Sequence, residues 1–224
     1  MIVVALGSNL SSKFGNRFTN IDLAISLFEK KSIKVSKKSS YYETPSYPNK
    51  NEPKFINVVI SISSELNLNA LIDAIIDIEK KFGRVRKFKN EPRTCDIDII
   101  DYKNQIINYE YKNLSFTIPH KKMIYRNFVL FPIKEIIPKW IHPKTKDSVS
   151  SLIEKLPQDE KNSILKVNKS WYNQYMLNQK DLIKKVKSYN RFLNPETLSK
   201  AYEFALSAHK NQKRDSGDPY LIHP

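Results

Sequence analysis

Apolar and polar side chains recur with two different periods along the first hundred residues, and the periods mark out the elements. Residues 2–6 are a short apolar run closed by Gly7-Ser8-Asn9, the pattern of a buried strand. Ile21, Ala24, Ile25 and Phe28 recur at helical spacing, which predicts a helix from about Asn16 to Glu29. Ile33 to Tyr42 reads as extended and is stopped by Thr44-Pro45. Residues 45–54 then hold three prolines and almost no apolar side chains. A loop of that length in a compact domain more often binds something than merely connects.

Strict alternation returns between Phe55 and Ser63. Ile56, Val58, Ile60 and Ile62 share one face, while Phe55, Asn57, Val59 and Ser61 share the other. Leu71, Ile75, Ile78 and Phe82 predict a second helix from about Asn69 to Phe82, ended by Gly83. Thr94 to Tyr102 alternates again, with Cys95, Ile97 and Ile99 on one side and Asp96 and Asp98 on the other. Strand, helix, strand, strand, helix, strand is the order of a ferredoxin-like α+β fold, an antiparallel sheet with helices packed on one face. Short helices near 127–137 and 148–156, the first limited by Pro132 and Pro138, complete a domain of residues 1–167. Residues 168–178 read as a linker. Residues 179–224 read as an incomplete α-helical extension, with one helix through Leu182, Val186 and Tyr189 and another through Leu198, Ala201, Tyr202, Ala205 and Ala208. Asn194 as cap and Pro195 at the first position begin the second of these.

Composition narrows the class. The 224 residues include 40% hydrophobic and 27% charged side chains, a globular balance that excludes wholesale disorder. No apolar run approaches a spanning length, and Met1 to Leu6 lacks the basic start of a secretion signal. The single cysteine, Cys95, excludes an internal disulfide framework and a cysteine-built zinc site, which fits a reduced, cytoplasmic protein. The net charge of +15 points to an anionic partner, yet most of it is lysine spread along the whole chain. Arginine is the more selective signal. Only seven occur, and five of them (Arg17, Arg84, Arg86, Arg93 and Arg126) precede residue 169. Clustering of Arg84, Arg86 and Arg93 suggests a need for planar, two-pronged donors to phosphate, with a local ion-pair network to Glu79 and Glu91 as the plain alternative.

Two acids at i and i+2 of a strand project from one face about 7 Å apart. Asp96 and Asp98 therefore read either as a solvated strand face or, beside the arginines, as hard-oxygen ligands for magnesium on a phosphate chain. Phe55 and Asn57 read either as a ring under the loop and a turn contact or as an aromatic plane and an amide suited to a flat heterocycle. His120, after Pro119 and before Arg126, reads on spacing alone as a structural histidine, with a phosphate or base contact as the alternative. A nucleotidyltransferase is a second enzyme reading, although Gly7-Ser8 and the Asp-x-Asp pair lie far apart for one. An RNA-binding sheet is compatible with fold and charge, but its aromatic-rich motif is missing and the facing acids would repel phosphates.

Several segments in order resemble the 6-hydroxymethyl-7,8-dihydropterin pyrophosphokinase family. They are Ala5-Leu6-Gly7-Ser8-Asn9-Leu10, Tyr42-Glu43-Thr44-Pro45, Phe55-Ile56-Asn57, Gly83-Arg84-Val85-Arg86, Pro92-Arg93-Thr94-Cys95-Asp96-Ile97-Asp98, and Pro119-His120 with Arg126 and Phe128. The resemblance implies pyrophosphoryl transfer from ATP to the pterin hydroxymethyl group with release of AMP, a step toward tetrahydrofolate. It implies two magnesium ions on Asp96 and Asp98, and phosphate contacts from Arg84, Arg86, Arg93 and Arg126, of which Arg84 and Arg93 count with the two acids as catalytic. Glu79, Thr117 and His120 would lie along the nucleotide. Phe55 and Phe128 would sandwich the pterin, with Thr44, Pro45 and Asn57 at its edge. The expected protein is a monomer whose partners are its two substrates, with no nucleic acid and no membrane.

The end of the chain resembles something else. Ala201-Tyr202-Glu203-Phe204-Ala205, His209 and Ser216 to Pro224 look like the opening of the RelA/SpoT family of ppGpp hydrolase/synthetases, with His223 at the position of a first manganese ligand. One ligand cannot make a metal site, so the segment is expected to carry no hydrolase activity and to be marginally ordered. A truncated fusion or a gene-boundary accident, with Met176 as an original start, is the reading this implies.

Overall fold

The computed structural model describes residues 1–47, 52–83, 93–112, 114–169, 179–190 and 192–208. They form two compact units, Met1–Val167 and Asn168–Pro224. The first unit runs β1 (Ile2–Ser8), α1 (Arg17–Lys30), β2 (Lys34–Lys38), β3 (Tyr41–Thr44), β4 (Phe55–Ser63), α2 (Leu68–Lys81), β5 (Asp96–Tyr102), β6 (Ile107–Tyr111), β7 (Leu114–Ile118), α3 (Asn127–Ile136), α4 (Val149–Glu154), α5 (Gln158–Asn162) and β8 (Leu165–Val167).

Local chemistry sets the helix limits. Asn16 caps α1 by accepting from the Thr19 N–H at 3.0 Å, and Asn67 caps α2 by accepting from the Ala70 N–H at 3.0 Å. Helix α2 ends at Gly83, whose φ of +77° is a left-handed conformation that side chains resist. Strands β5, β1, β4, β3 and β8 lie in that order in one sheet, with β2 also on β4, and every pairing is antiparallel. The extended stretch expected from Ile33 to Tyr42 is two strands. Ser39 divides them: its N–H donates to the Val59 carbonyl at 2.9 Å and its Oγ accepts from the Val59 N–H at 3.0 Å, so the break leaves β4 satisfied.

Helices α1 and α2 cover one sheet face, as the alternation implies. They bury Phe18, Ile21, Ala24, Phe28, Leu71, Ile72, Ile75 and Ile78 with Val4, Leu6, Ile56, Val58 and Ile60. The opposite face differs from the expectation of helices on one side only. Val3, Val59 and Ile100 point there and are fully buried under Leu130, Ile133, Ile136, Trp140, Leu152 and Ile153, brought by α3, α4 and the segment between them. An apolar patch on the second face demands such a cover. Trp140 fastens it by donating from Nε1 to Asp101 Oδ2 at 2.8 Å. Pro132 lies inside α3 and does not limit it, since the fixed proline φ suits a helix and only one backbone donor is lost.

The hairpin of β6 and β7 was not signalled by the sequence pattern. It docks on α2 through Tyr109 to Asn69 at 2.7 Å and Tyr111 to Asp73 at 3.0 Å. The second unit contains α6 (Gln179–Tyr189) and α7 (Pro195–Ala208), the latter capped by Asn194, which accepts from the Glu196 and Thr197 N–H groups at 2.9 and 3.2 Å. Among the described residues no helix is long and apolar enough to cross a membrane.

Glu135 of α3 accepts from Tyr42 Oη at 3.0 Å, Ser40 N at 3.1 Å, Ser40 Oγ at 2.7 Å and Lys166 Nζ at 2.9 Å, tying α3 to β3 and β8. Burial opposes its ionisation, but the donors from Lys166, Ser40 and Tyr42 outweigh this and hold its carboxyl below the ordinary range. The stability it contributes is thus fully present above the ordinary carboxyl pKa and is lost as pH falls through the lowered folded value. Glu135→Gln should therefore reduce stability at neutral pH and flatten the acid limb of a stability–pH profile measured by urea unfolding; an unchanged limb would show that the network contributes nothing.

Candidate active site

The uncovered part of the second face carries the polar chemistry. β1 runs through its middle, where Gly7 pairs with Asp96 of β5 on one side and Asn57 of β4 on the other, and Asn57 pairs with Tyr42 of β3. One row along from Gly7, Ala5 pairs with Asp98; at the other end, Thr44 pairs with Phe55. Asp96 and Asn57 thus lie two strand spacings apart, about 10 Å. Gly7 lies between the two side chains: a Cβ there would sit 3.4 Å from Asn57 Oδ1 and 3.5 Å from Phe55 Cδ1, in ordinary contact with both. Asn57 is held by donating to Thr44 Oγ1 at 3.0 Å and the Tyr42 carbonyl at 3.3 Å.

Each acid has an arginine. Arg93 Nη1 lies 2.5 Å from Asp96 Oδ2, and Arg126 Nη1 lies 3.3 Å from Asp98 Oδ2. All four side chains are roughly a fifth to a third exposed, so the pairs lie at a partly desolvated surface where attraction is stronger than in open water. Arg126 also lies over the Phe128 ring, 5.5 Å from its centroid, at the start of α3. His120 follows the hairpin and feels Asp98, Arg126 and Asp96. Burial pushes its pKa below the ordinary value, assisted by Arg126 and opposed by the two carboxylates. Its Nδ1 accepts from the Lys122 N–H at 3.2 Å, leaving Nε2 as the other polar atom of the ring.

Other expected site residues are less directly joined. Glu79 is buried on α2, and its Oε1 accepts from the Ile97 N–H at 2.9 Å, between the two acids in the chain. Thr117 lies on β7, opposite Asn108 and three residues before His120. Pro45 and Phe55 are half-buried at the two ends of the proline-rich loop, of which residues 48–51 lie outside the described residues. Arg84 and Arg86 also lie outside the described residues.

A buried polar knot behind the acids had no place in the sequence reading. Asn20 donates to the Leu10 carbonyl at 2.9 Å and the Thr94 carbonyl at 3.1 Å, and accepts from Ser12 Oγ at 2.6 Å. Ser8 Oγ donates to the Thr94 carbonyl at 2.7 Å, and Asn9 Oδ1 accepts from the Arg93 N–H at 2.6 Å. Asn9 Nδ2 reaches Ser46 Oγ at 3.3 Å and the Pro53 carbonyl at 3.2 Å. The knot fixes the main chain that carries Arg93. Its signal was available: Asn20 is a polar residue on the inward stripe of α1, where only a paired group belongs.

Paired acids, each with an arginine, thus share one end of the sheet with an amide beside an aromatic ring. The chain belongs to the family described as 7,8-dihydro-6-hydroxymethylpterin-pyrophosphokinase, whose model matches residues 3–138. Over that stretch the chain is a pyrophosphokinase of that kind, an enzyme of folate biosynthesis. The chain is 35% identical to the 2-amino-4-hydroxy-6-hydroxymethyldihydropteridine pyrophosphokinase of Synechocystis sp. over 69% of this chain and 75% of that protein. The protein of the same name from Aquifex aeolicus is 34% identical over 64% of this chain and 85% of its own length. Folic acid synthesis protein fol1 of Pneumocystis carinii is 38% identical over 69% of this chain, but the match spans only 20% of that longer protein. Among solved structures, wild-type Plasmodium falciparum HPPK-DHPS shares the fold at TM-score 0.56 and 16% identity, over 69% of this chain and 44% of that one.

Asn20→Ala takes a donor from the Leu10 and Thr94 carbonyls and the acceptor from Ser12 Oγ, while the Thr94 carbonyl keeps the Ser8 hydroxyl. The expected cost is about 1 kcal/mol or more in urea unfolding, the net worth of hydrogen bonds lost from a partly buried network. A change below the error of the measurement would show that the knot is not a structural anchor for Arg93.

Proposed function

We propose that residues 1–167 transfer the terminal pyrophosphoryl group of ATP to the hydroxymethyl oxygen of 6-hydroxymethyl-7,8-dihydropterin. The oxygen attacks the β-phosphorus, the bond from that phosphorus to the bridging oxygen of the α-phosphate breaks, AMP leaves and the hydroxyl proton goes to solvent. The observation that carries this reading is the row Asp96, Gly7, Asn57 across three strands, with Arg93 on the first acid and Arg126 on the second. On this reading the acids are the phosphate end and Asn57, itself buried, is the ring end, about 10 Å away along one face.

The donor set fits magnesium. Two carboxylates offer hard oxygens, and a magnesium ion held by them would take its other ligands from phosphate oxygens and water. Asp96 and Asp98 would hold two such ions, which when bound spread the charge of the triphosphate. With metal on the acids, Arg93 and Arg126 would offer their forks to phosphate oxygens, and Arg84 and Arg86 are assigned the same task. Asn57 and Thr44 read the pterin edge beside Pro45; Phe55 and Phe128 cover its faces. Glu79, Thr117 and His120 are assigned to the nucleotide. His120, held toward neutrality by burial, suits hydrogen bonding better than charge pairing. No strong general base is needed, because positioning and charge stabilisation carry most phosphoryl transfer.

We read the sheet and its first two helices as ferredoxin-like, supported by the strand order β5-β1-β4 with β2 and β3 together outermost in that motif. A monomer is proposed because one chain offers both ends of the site, and a cytoplasmic setting because a chain with a single, buried cysteine, Cys95, holds no internal disulfide. No nucleic acid or membrane partner is invoked. For the remainder we propose a linker at 168–178 and, over 179–224, a segment like the opening of a ppGpp hydrolase domain without that activity. Its support is the residue pattern, of which His209, His223 and Met176 lie outside the described residues.

Incubation with magnesium, ATP and the pterin should yield AMP and pterin diphosphate in equal amounts. ADP as the nucleotide product would overturn the reaction. Asp98→Ala should abolish turnover with an unchanged circular dichroism spectrum, and Arg93→Lys, which keeps charge but loses the fork, should lower kcat by about tenfold or more. Parent-like rates would remove these residues from the mechanism.

A further inference from the structure

Arg17 stands apart from the phosphate-facing arginines. It is the first residue of α1, on the reverse face of the sheet, where its side chain is only 12% exposed. Its Nη2 lies 3.4 Å from Glu43 Oε2, and its Nη1 donates to the Lys54 carbonyl. Lys54 Nζ lies 3.2 Å from Glu43 Oε1, and the Glu43 side chain is 10% exposed. A guanidinium fork and an ammonium thus bind one carboxylate behind the sheet and join α1, β3 and the start of β4.

Position in the chain makes this cluster more than a fastener. Glu43 lies between Tyr42 and Thr44, Lys54 immediately precedes Phe55, and Thr44 and Phe55 are register partners. Because strand side chains alternate, the charges lie behind the two strands at the row where Thr44 and Phe55 face the site. Nearly buried charges gain little net stability over an apolar cluster of the same size, since their desolvation offsets their attraction. What they do provide is direction: the Arg17 fork bonds a side chain of one strand and the main chain of the next.

We propose that Arg17, Glu43 and Lys54 are positioning residues that set the spacing of Thr44 and Phe55, and so determine affinity for the pterin ring while leaving nucleotide affinity alone. The proposal rests on the assignment of Thr44, Phe55 and Asn57 to the pterin.

The test uses the full chain and steady-state kinetics in each substrate, with Arg17→Lys, Glu43→Gln and Asn57→Ala beside the parent. Arg17→Lys and Glu43→Gln should raise KM for the pterin about tenfold and leave KM for ATP within about twofold. Equal rises in both KM values, or a fall in melting temperature with neither KM changed, would reduce the cluster to a structural one and overturn the proposal. Should Arg17→Lys fail to fold, Glu43→Gln carries the test, because it keeps the shape and one acceptor oxygen. Asn57→Ala separates the two layers. If it raises the pterin KM and the clamp variants do not, the clamp alone is wrong; if it leaves the pterin KM unchanged, the ring assignment fails and the clamp proposal with it.

Discussion

Two carboxylates leaving a strand at alternate positions stand about 7 Å apart on one pleat, and neither is held partly buried at low cost without a cation beside it. Asp96 and Asp98 meet this constraint by drawing in arginines from two separate pieces of chain. Arg93 comes from the segment entering β5, whose main chain is locked by Ser8, Asn9 and Asn20, and Arg126 comes from the start of α3. The same forks that neutralise the acids are suited to phosphate. On the proposed reading, the resting ion pairs preassemble both halves of a site in which carboxylates turn to metal and guanidiniums to the triphosphate.

The sheet's second face accommodates this by division. Val3, Val59 and Ile100 are sealed under α3 and α4, while Gly7, Asn57, Asp96 and Asp98 lie on the part those helices leave uncovered. One helix serves both parts. Its later turns bury Leu130 and Ile133, and its beginning presents Arg126 and Phe128 to the acids. Glu135 then ties that helix to β3, the strand bearing Thr44. Core packing and site geometry are therefore coupled through α3, so a loss of helix position would be felt in both.

Much of this was legible in the residues because strand parity is a strong code. The alternation of Phe55 to Ser63 placed Asn57 opposite Ile56, and that of Thr94 to Tyr102 placed both acids on one face; pairing through β1 then brought the two faces together. What escaped has physical causes. Val3 and Val59 on the second face announce a second layer, but a run of consecutive apolar residues in β1 does not say which of them faces which side. The split at Ser39 depends on a side chain replacing a backbone partner, which no periodicity records. The β6–β7 hairpin turns at Lys112, a non-glycine residue with φ of 52°, and so lacks the usual glycine signal. Arg17 was counted among the arginines but given no task, and its fork is directed to Glu43 and the Lys54 carbonyl across two strands. Residue type predicted the need for a fork; only the fold says what it holds.

The most direct measurement is calorimetric binding of an ATP analogue with a methylene bridge between the α and β phosphorus atoms, with and without magnesium, to the parent and to the Asp96→Asn, Asp98→Asn double variant. Exchange of ion pairs for metal and phosphate predicts that magnesium strengthens binding to the parent by at least about tenfold, or about 1.4 kcal/mol. In the double variant that enhancement should vanish, while metal-free affinity holds or rises because Arg93 and Arg126 no longer have carboxylates to leave. An equal magnesium enhancement in both proteins would contradict the account at its centre.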